Sequence, residues 1–363
     1  MGNHQVSSSQ KLGVDNSAHA KDTSNKTEKK KITSYKTEQK CGIINTFAVL
    51  VWIGWMGTIV YASVILFILY MNCSEDACVV NYHALRFCCT AWTTVCAISI
   101  AFPRSFPGER LYQYPAKWIM SCAEEYFGLQ TVFEDEDAIR DSDKAIIFAL
   151  EPHDMLPFSV FAFSPYLKRV PGKEVSALMT SVVFALPFIK QVYTWVGGNP
   201  VDKKTFLSRL GNNLAVSFVP GGVQEVTMMD PNKPDEILLF LKKRKGFIKI
   251  ALQTGSPIVP VFNFGLIGSY KYFLPRGKLM SKFARFIGFL PVIFWGRFGI
   301  PMGIPNPNVQ TLVFGEVIQV PKEEQPTQES IDKYHALVVD EMGKLFERHK
   351  EQYGYSDRTL RIV

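Results

Sequence analysis

One histidine in this sequence is placed where it could act as a general base. His153 follows the apolar run 145–150 directly, within the sequence EPHD (151–154), and no other histidine lies between His83 and His335. Imidazole has an unperturbed pKa of about 6.5, so it can take a proton from a hydroxyl at neutral pH and return it later. Taken alone, a histidine in a turn is more often a hydrogen-bonded polar residue with no chemical role.

A second motif follows another strand-like run. Residues 219–225 read VPGGVQE. Two glycines after a strand let a ligand approach the backbone closely, and free N–H groups there could bind a phosphate or a developing oxyanion. A Pro-Gly-Gly sequence is usually only a turn. This one is of interest because of Glu225, whose carboxylate could orient an imidazole or a substrate hydroxyl if the two strand ends are neighbours.

A basic run, KKRK (242–245), leads into Gly246 and Phe247 at a predicted helix N-terminus. Cations beside the positive end of a helix suit a phosphate-bearing ligand such as coenzyme A, although a solvated charged face explains the run equally well.

Several other kinds of site are excluded by the sequence. It lacks the G-x-S-x-G elbow of serine hydrolases, a P-loop and a dinucleotide fingerprint. All seven cysteines fall within the first 122 residues. We therefore exclude a cysteine nucleophile and a thiolate metal site around His153.

These motifs require a scaffold of strands and helices to bring them together. Short apolar runs bounded by Gly or Pro predict buried strands, and segments with helical periodicity separate them. The pattern predicts an α/β fold with a mostly parallel sheet flanked by helices. The predicted strands are 145–150, 192–196, 214–219, 258–262 and 311–320, and the predicted helices follow Asp202, span 246–254 before Gly255, and span 327–350.

The N-terminal part has a different composition. Residues 1–40 hold eight lysines against four acids and few large apolar residues, which predicts a disordered basic tail. The tail lacks the interleaved aromatics of a nucleic-acid site, and we expect no nucleic-acid partner.

Residues 43–71 and 87–103 are two uncharged apolar segments, which predict a membrane hairpin at 41–103 that either crosses the bilayer or re-enters on the same side. The first segment is too long for a cleaved signal peptide. Flanking cations place the tail and the domain at 104–363 on the cytosolic side.

Three further features each have two interpretations. The apolar stretches 175–189 and 283–298 suit core packing, or else the wall of an acyl-chain tunnel or a surface that enters one leaflet. Cys73 and Cys78 are either free thiols or a pair on the luminal side.

Four blocks in the same order closely resemble the type-2 diacylglycerol acyltransferase family. They are EPHDMLP (151–157), VPGGVQE (219–225), RKGFIKIALQTGSPIVPVFNFG (244–265) and LFERHKEQYGY (345–355). The resemblance covers roughly 111–363 and is strongest to plant and algal members. It implies a glycerolipid-acyltransferase-like fold and a multi-pass endoplasmic-reticulum enzyme, also expected at lipid droplets, whose domain faces the cytosol. Such an enzyme esterifies diacylglycerol with acyl-coenzyme A to form triacylglycerol, and it uses no cofactor beyond that co-substrate. Assembly into a homo-oligomer is consistent with the resemblance.

With this resemblance, His153 becomes the expected general base, and Glu225 is expected to orient either His153 or the acceptor. The N–H groups of Gly221 and Gly222 are expected to stabilise the oxyanion, and Arg244 with its neighbouring lysines is expected to hold the phosphates of coenzyme A. No metal and no acyl-enzyme are required. The residues assigned to substrate binding are Glu151, Pro152, Asp154, Pro220, Gly221, Gly222, Arg244, Gly246 and Phe247.

The sequence departs from the family pattern at several positions. Asp154 replaces a small residue, Leu266 stands where many animal members have Glu, and no Tyr-Phe-Pro motif occurs near Tyr126. A lysophosphatidate acyltransferase would have Asp five residues after the histidine, where this chain has Phe158. Monoacylglycerol and wax-alcohol acyltransferases share the same blocks and remain alternatives. A non-catalytic protein that coats lipid droplets would need the hairpin but neither motif.

Overall fold

The computed structural model describes residues 10–12, 32–72, 82–102, 109–230, 232–274 and 292–363. Its strands are β1 (Gln10–Leu12), β2 (Thr33–Lys36), β3 (Gln130–Phe133), β4 (Ile147–Glu151), β5 (Val175–Met179), β6 (Gly198–Pro200), β7 (Ala215–Phe218), β8 (Glu236–Leu239), β9 (Ile258–Phe264), β10 (Lys271–Phe273), β11 (Ile293–Trp295), β12 (Thr311–Phe314) and β13 (Thr359–Ile362). Its α-helices are α1 (Ile43–Val49), α2 (Trp55–Met71), α3 (Tyr82–Ala101), α4 (Glu109–Tyr126), α5 (Glu136–Arg140), α6 (Ile189–Trp195), α7 (Lys203–Gly211), α8 (Val223–Met228), α9 (Gly246–Thr254) and α10 (Gln328–His349).

Nine strands form a central sheet in the order β1-β2-β3-β12-β9-β4-β7-β5-β6. The run from β9 to β6 is parallel, β12 is antiparallel to β9, and β1 and β2 add an antiparallel edge. Helices cover both faces. The mixed α/β architecture predicted from the sequence, with a central sheet flanked by helices, is therefore confirmed.

Alternate residues of the central strands face two separate cores. In β4, Phe148 and Leu150 pack with α4 and the 3₁₀ turn Phe158–Phe163, while Ile147 and Ala149 pack on the opposite face. This alternation is the ordinary two-residue period of a strand. Because both faces are covered, all of β4 is buried, and the residues before Glu151 form a continuous apolar run.

Most of the predicted elements agree with the structure, but the run 192–196 was wrongly predicted as a strand. It lies in and just after α6, where Ile189 and Val192 are buried three residues apart on one side of the helix. An apolar run of five residues is compatible with a buried strand or a buried helical face, and periodicity alone cannot distinguish them. The predicted strand 311–320 is shorter, since β12 ends at Phe314.

The last part of the predicted disordered tail joins the sheet. β2 pairs antiparallel with β3, and β1 pairs with β2. The Tyr35 hydroxyl donates to Glu136 Oε1 at 2.8 Å. These residues differ from the predicted disorder because the backbone of β2 pairs with the edge of β3, and the β-branched and aromatic side chains of β2 favour a strand. The rest of the tail, 1–9 and 13–31, lies outside the described residues.

The two apolar segments form helices that lie side by side. Between α1 and α2 the chain makes a π-helical turn, Leu50–Gly54, and the two halves of this segment are bent by 64°. The indole N–H of Trp92 in α3 donates to Ser63 Oγ in α2 at 3.0 Å. By length and composition α3 could cross a membrane. The bent segment α1–α2 would be a second span only if its two halves are taken together as one helix. Cys73 and Cys78 lie outside the described residues.

The other apolar stretches are only partly described. Val175 and Leu178 of the first stretch are buried in β5, as core packing predicts. Val182 and Leu186 are exposed, and the neighbouring Phe188 N–H donates to Ser99 Oγ of α3 at 2.7 Å. Of the second stretch, 283–291 lies outside the described residues.

Candidate active site

The two predicted motifs meet at the carboxyl ends of neighbouring parallel strands. β4 and β7 pair with Ala149 opposite Phe218, so the chain at His153 and the turn 220–222 leave the same edge of the sheet. In open α/β sheets this edge is where ligands generally bind. The adjacency of the two strand ends, which the sequence left as a hypothesis, is confirmed.

Two carboxyl groups tie the motifs together, and each one crosses to the other motif. Glu151 Oε1 accepts the backbone N–H of Gly221 at 2.9 Å, and Glu225 Oε2 accepts the backbone N–H of His153 at 2.7 Å. Glu225 Oε1 also accepts the N–H of Phe240, which follows β8, at 2.9 Å. Three segments of main chain are thereby fixed relative to one another by two side chains.

Each glycine of the Pro-Gly-Gly sequence is required for a structural reason. A Cβ atom on Gly221 would overlap the Glu225 carboxyl group, so only glycine fits there without displacing it. Gly222 has a φ of 60°, a left-handed conformation that favours glycine. The turn that follows β7 is therefore built around the carboxylate.

Burial raises the pKa of both carboxyl groups. The pKa of Glu151 lies well above its ordinary value because the side chain is desolvated and because Glu225 is close, and burial raises the pKa of Glu225 to about 7. Glu225 accepts two backbone N–H groups, whereas Glu151 accepts one and its Oε2 has no hydrogen-bond partner among the described residues. We conclude that Glu151 holds a proton and that Glu225 is the anion of the pair, because hydrogen bonds favour the charged form.

His153 is held as a neutral imidazole. Its side chain is almost fully buried, and burial lowers its pKa to about 4. Nδ1 lies 2.8 Å from the carbonyl oxygen of Asp154. Since a carbonyl only accepts, Nδ1 must carry the proton, which leaves Nε2 with the lone pair that a general base needs. Within the described residues no hydrogen bond occupies Nε2.

Asp154 serves the site through its backbone. Its carbonyl fixes the tautomer of His153, and its φ of 47° places it in the left-handed region. Burial raises the pKa of its carboxyl group to about 7, against the opposing effects of the Met155 N–H and of Arg358. The carboxyl group makes no hydrogen bond to the imidazole among the described residues.

A basic cavity of about 490 Å³ opens beside the Pro-Gly-Gly turn. Five cations line it together with one acid, Asp202, whose carboxylate already accepts the N–H of Thr205 at the start of α7. Lys245 Nζ lies 2.7 Å from Asp332 Oδ1, so part of the positive charge is compensated. The lining residues include Lys203, Pro220, Lys243, Arg244, Lys245, Gly246, Phe247 and Lys249.

Arg244 links this cavity to the turn. Its Nη2 donates to the carbonyl of Gly221 at 3.1 Å, and its guanidinium lies 5.0 Å from the centre of the Phe240 ring. Its buried Nε has no hydrogen-bond partner among the described residues. The residue therefore supports the turn from the wall of the cavity.

The structure brings the predicted site residues together but changes how two of them act. Glu225 bonds the backbone of His153 and not its ring, and the Gly221 N–H, expected at an oxyanion, is taken by Glu151. Phe240 was missed because its contribution is a backbone N–H, which leaves no mark in the sequence. Within the described residues no group of three or more His, Cys, Asp or Glu is placed to hold a metal ion.

Comparison with known proteins identifies the family of this chain. Residues 84–363 match the family model described as diacylglycerol acyltransferase. Diacylglycerol O-acyltransferase 2 of Mus musculus is 31% identical over 76% of this chain and 75% of its own length. Acyl-CoA wax alcohol acyltransferase 1 of Homo sapiens is 31% identical over 69% of this chain and 79% of its own. The chain belongs to the diacylglycerol acyltransferase family.

Proposed function

We propose that this protein transfers an acyl group from acyl-coenzyme A to the free hydroxyl of diacylglycerol, forming triacylglycerol. The observation that carries the proposal is the neutral, buried His153 at the sheet edge, with Nδ1 bonded to the Asp154 carbonyl and Nε2 left as an acceptor. A base of this kind suits an alcohol acceptor, because a hydroxyl becomes a good nucleophile only as it loses its proton.

In the proposed reaction, Nε2 of His153 takes the hydroxyl proton while the hydroxyl oxygen attacks the thioester carbon. The tetrahedral intermediate collapses by breaking the carbon–sulfur bond, and the proton passes from the imidazolium to the departing thiolate, which leaves as coenzyme A. Glu225 is a positioning residue here, since it fixes the backbone of His153. Of the two N–H groups expected at the oxyanion, the one on Gly222 stays a candidate, because Glu151 occupies the other.

The basic cavity is the proposed site for the phosphates of coenzyme A. It lies against Pro220 of the turn and is lined by Lys243, Arg244 and Lys249. Guanidinium and ammonium groups bind phosphate oxygens strongly, and the N-terminus of α9 adds a favourable dipole. The thioester would then reach the sheet edge beside His153.

The helices before the domain are the proposed membrane anchor. α3 and the bent segment α1–α2 would hold the enzyme in the endoplasmic-reticulum bilayer, at the depth where diacylglycerol resides, with the tail and the domain on the cytosolic side. The same anchor would suit the surface of a lipid droplet. Assembly into a homo-oligomer is a further part of this proposal.

Acyl transfer in purified membranes tests the reaction and its acceptor. Labelled oleoyl-coenzyme A would be offered with diacylglycerol, monoacylglycerol and a fatty alcohol in competition, and we expect labelled triacylglycerol as the main product. If the main product were wax ester or diacylglycerol, the acceptor would instead be a fatty alcohol or monoacylglycerol.

His153→Ala should lower the rate by about 10²–10⁴-fold at unchanged protein level and membrane association. His83→Ala, which changes an exposed histidine of α3, is the control. Full activity of the His153 variant would refute the proposed base.

The basic cavity has a matched pair of lysines for its own test. Lys243 lines the cavity, whereas its neighbour Lys242 does not. We expect Lys243→Ala to raise the KM for acyl-coenzyme A by about fivefold, which corresponds to roughly 1 kcal/mol, with little change in kcat. Lys242→Ala should leave the KM near its original value. Equal effects of the two changes would argue against a phosphate site in this cavity.

A further inference from the structure

A second cavity, of about 560 Å³, lies away from the site and is almost entirely apolar. It opens between the bent segment α1–α2 and the loop 297–304, and none of the residues assigned to the active site lines it. Its volume falls in the range of about 300–1,000 Å³ that is usual for small-molecule sites. The lining side chains include Phe47, Leu50 and Ile300, which are each 45% or more exposed.

The cation Arg297 lies among these apolar lining residues. Arg297 lines the cavity, and its Nη1 donates to Thr46 Oγ1 of α1 at 3.0 Å. The guanidinium lies 5.0 Å from the ring centre of Phe298 and 5.6 Å from that of Tyr126. Within the described part of the chain no carboxylate pairs with it. A guanidinium has five N–H donors, and the bonds to Thr46 and to the Tyr126 side chain leave others for a ligand.

The position of Arg297 is fixed by the backbone around it. Its N–H donates to the carbonyl of Ile304 at 2.9 Å, and the Met302 N–H donates to Phe294 in β11 at 2.7 Å. On the opposite wall, a Cβ on Gly57 would lie 2.7 Å from the Met302 carbonyl oxygen, so glycine allows α2 to approach the loop closely. The cavity is therefore a built feature of the contact between the apolar helices and the domain.

We infer that this cavity binds an anionic glycerophospholipid, with its phosphate at Arg297 and an acyl chain along the apolar walls. A cation with no carboxylate partner among the described residues is unfavourable in an apolar surrounding, and a phosphate would offset that cost through charge-assisted hydrogen bonds. The occupant is a lipid because the walls are apolar and one of them belongs to the segment 43–71, which is predicted to meet the bilayer. This site is separate from the proposed acyl-transfer reaction and does not depend on it.

Photo-crosslinking of the full-length protein tests the site. The protein would be reconstituted in phosphatidylcholine nanodiscs that contain a phosphatidic acid with a photoactivatable acyl chain, without acyl-coenzyme A, and labelled peptides would be quantified by mass spectrometry. We expect labelling of peptides from 43–58 and 297–304. Arg297→Gln should lower it by about tenfold, the factor expected for the loss of one charge-assisted contact.

Two matched variants separate this site from general membrane attraction. Arg86→Gln removes an exposed arginine of α3 outside the cavity and should leave the labelling unchanged. Leu50→Trp keeps Arg297 but fills the cavity, so it should also lower the labelling. The thermal unfolding midpoint of each variant in detergent verifies folding.

Three results would overturn the inference. The first is undiminished labelling of folded Arg297→Gln protein. The second is equal labelling of these peptides by a photoactivatable diacylglycerol, which would make the cavity a neutral-lipid site. The third is competition by soluble glycerol 3-phosphate as effective as that by unlabelled phosphatidic acid, which would indicate a site for free phosphate. Because no acyl transfer is measured, each result is independent of the proposed catalytic role of His153.

Discussion

Glu225 Oε2 accepts a hydrogen bond from the backbone N–H of His153 at 2.7 Å, and the imidazole of His153 is held separately by the carbonyl of Asp154. The carboxylate therefore positions the chain that carries the base and leaves the ring to a local contact. This arrangement differs from a catalytic triad, in which the carboxylate orients the ring nitrogen itself. It also makes the turn after β4 dependent on the turn after β7.

The two carboxyl groups should respond differently to the same substitution. In Glu151→Gln, the amide oxygen can still accept the Gly221 N–H, and an uncharged group replaces an acid that already holds a proton. In Glu225→Gln, one amide oxygen must replace two carboxylate oxygens, and the amide N–H₂ would face the N–H of either His153 or Phe240. An unsatisfied buried donor costs about 1–3 kcal/mol.

We therefore expect Glu225→Gln to lower the thermal midpoint and the acyl-transfer rate substantially, and Glu151→Gln to change both only slightly. Thermal unfolding in detergent and the assay with labelled oleoyl-coenzyme A would measure this difference. If the two variants lose the same stability, the assignment of the proton to Glu151 is wrong.

The buried imidazole should make stability fall in mild acid. The pKa of His153 is lowered from 6.5 to about 4 by burial, so the unfolded chain takes up a proton first as the pH falls. The contribution of the neutral ring is present above pH 6.5 and is lost as the pH falls to about 4, a change of roughly 3 kcal/mol. Glu225, Asp154 and Glu151 act in the opposite direction, because a carboxyl group with a raised pKa adds stability at low pH that is lost as the pH rises, through about 7 for Glu225 and Asp154.

These opposing effects can be separated with His153→Gln. The difference in unfolding midpoint between this variant and the original protein should shift in favour of the variant as the pH is lowered from 6.5 to 4. A pH-independent difference would show that His153 is protonated in the folded protein as readily as in the unfolded one.

Gly221 gives a steric test of the same site. A methyl group there would overlap the Glu225 carboxyl group, which would have to move away from the His153 N–H. We expect Gly221→Ala to cost about 1–3 kcal/mol of stability, as overpacking does, and to abolish most of the activity. Gly211→Ala at the end of α7 is the control, since an added Cβ meets nothing within 4 Å. Equal activity of the two variants would contradict the packing described for Glu225.

The sequence was sufficient to place His153 and the Pro-Gly-Gly turn at strand ends, because β4 and β7 lie in short, mostly apolar runs with clear boundaries. It could not show that the carboxyl groups of Glu151 and Glu225 each accept a backbone N–H from the other motif, since those bonds depend on the register of β4 against β7. The helix α6 was misread as a strand because a short apolar run carries no distinguishing period.

The hydrogen bond from the Phe240 N–H to Glu225 also could not be predicted from the sequence. Any residue other than proline carries a backbone N–H, so the role of that group is set by where β8 ends and not by its side chain. The same is true of the Asp154 carbonyl, which fixes the tautomer of His153.

The C-terminal strand should be required for activity because it supports β8 and therefore Phe240. β13 pairs parallel with β8, the Val363 N–H donates to Leu239 at 2.9 Å, and the Lys242 N–H donates to Val363 at 2.9 Å. These bonds flank the Phe240 N–H that Glu225 accepts. Deleting 359–363 should leave β8 without this neighbour and lower the acyl-transfer rate.

Purified membranes make this result independent of where the truncated protein accumulates in the cell. Arg361→Gln is the control, because it keeps the strand and removes only a partly exposed ion pair, Arg361 Nη2 to Glu236 Oε1 at 2.9 Å. Such a pair contributes at most about 1 kcal/mol, so this variant should stay active. If the truncated protein keeps full activity in membranes, the Phe240 N–H does not need β13 to hold Glu225, and the C-terminal strand has another role.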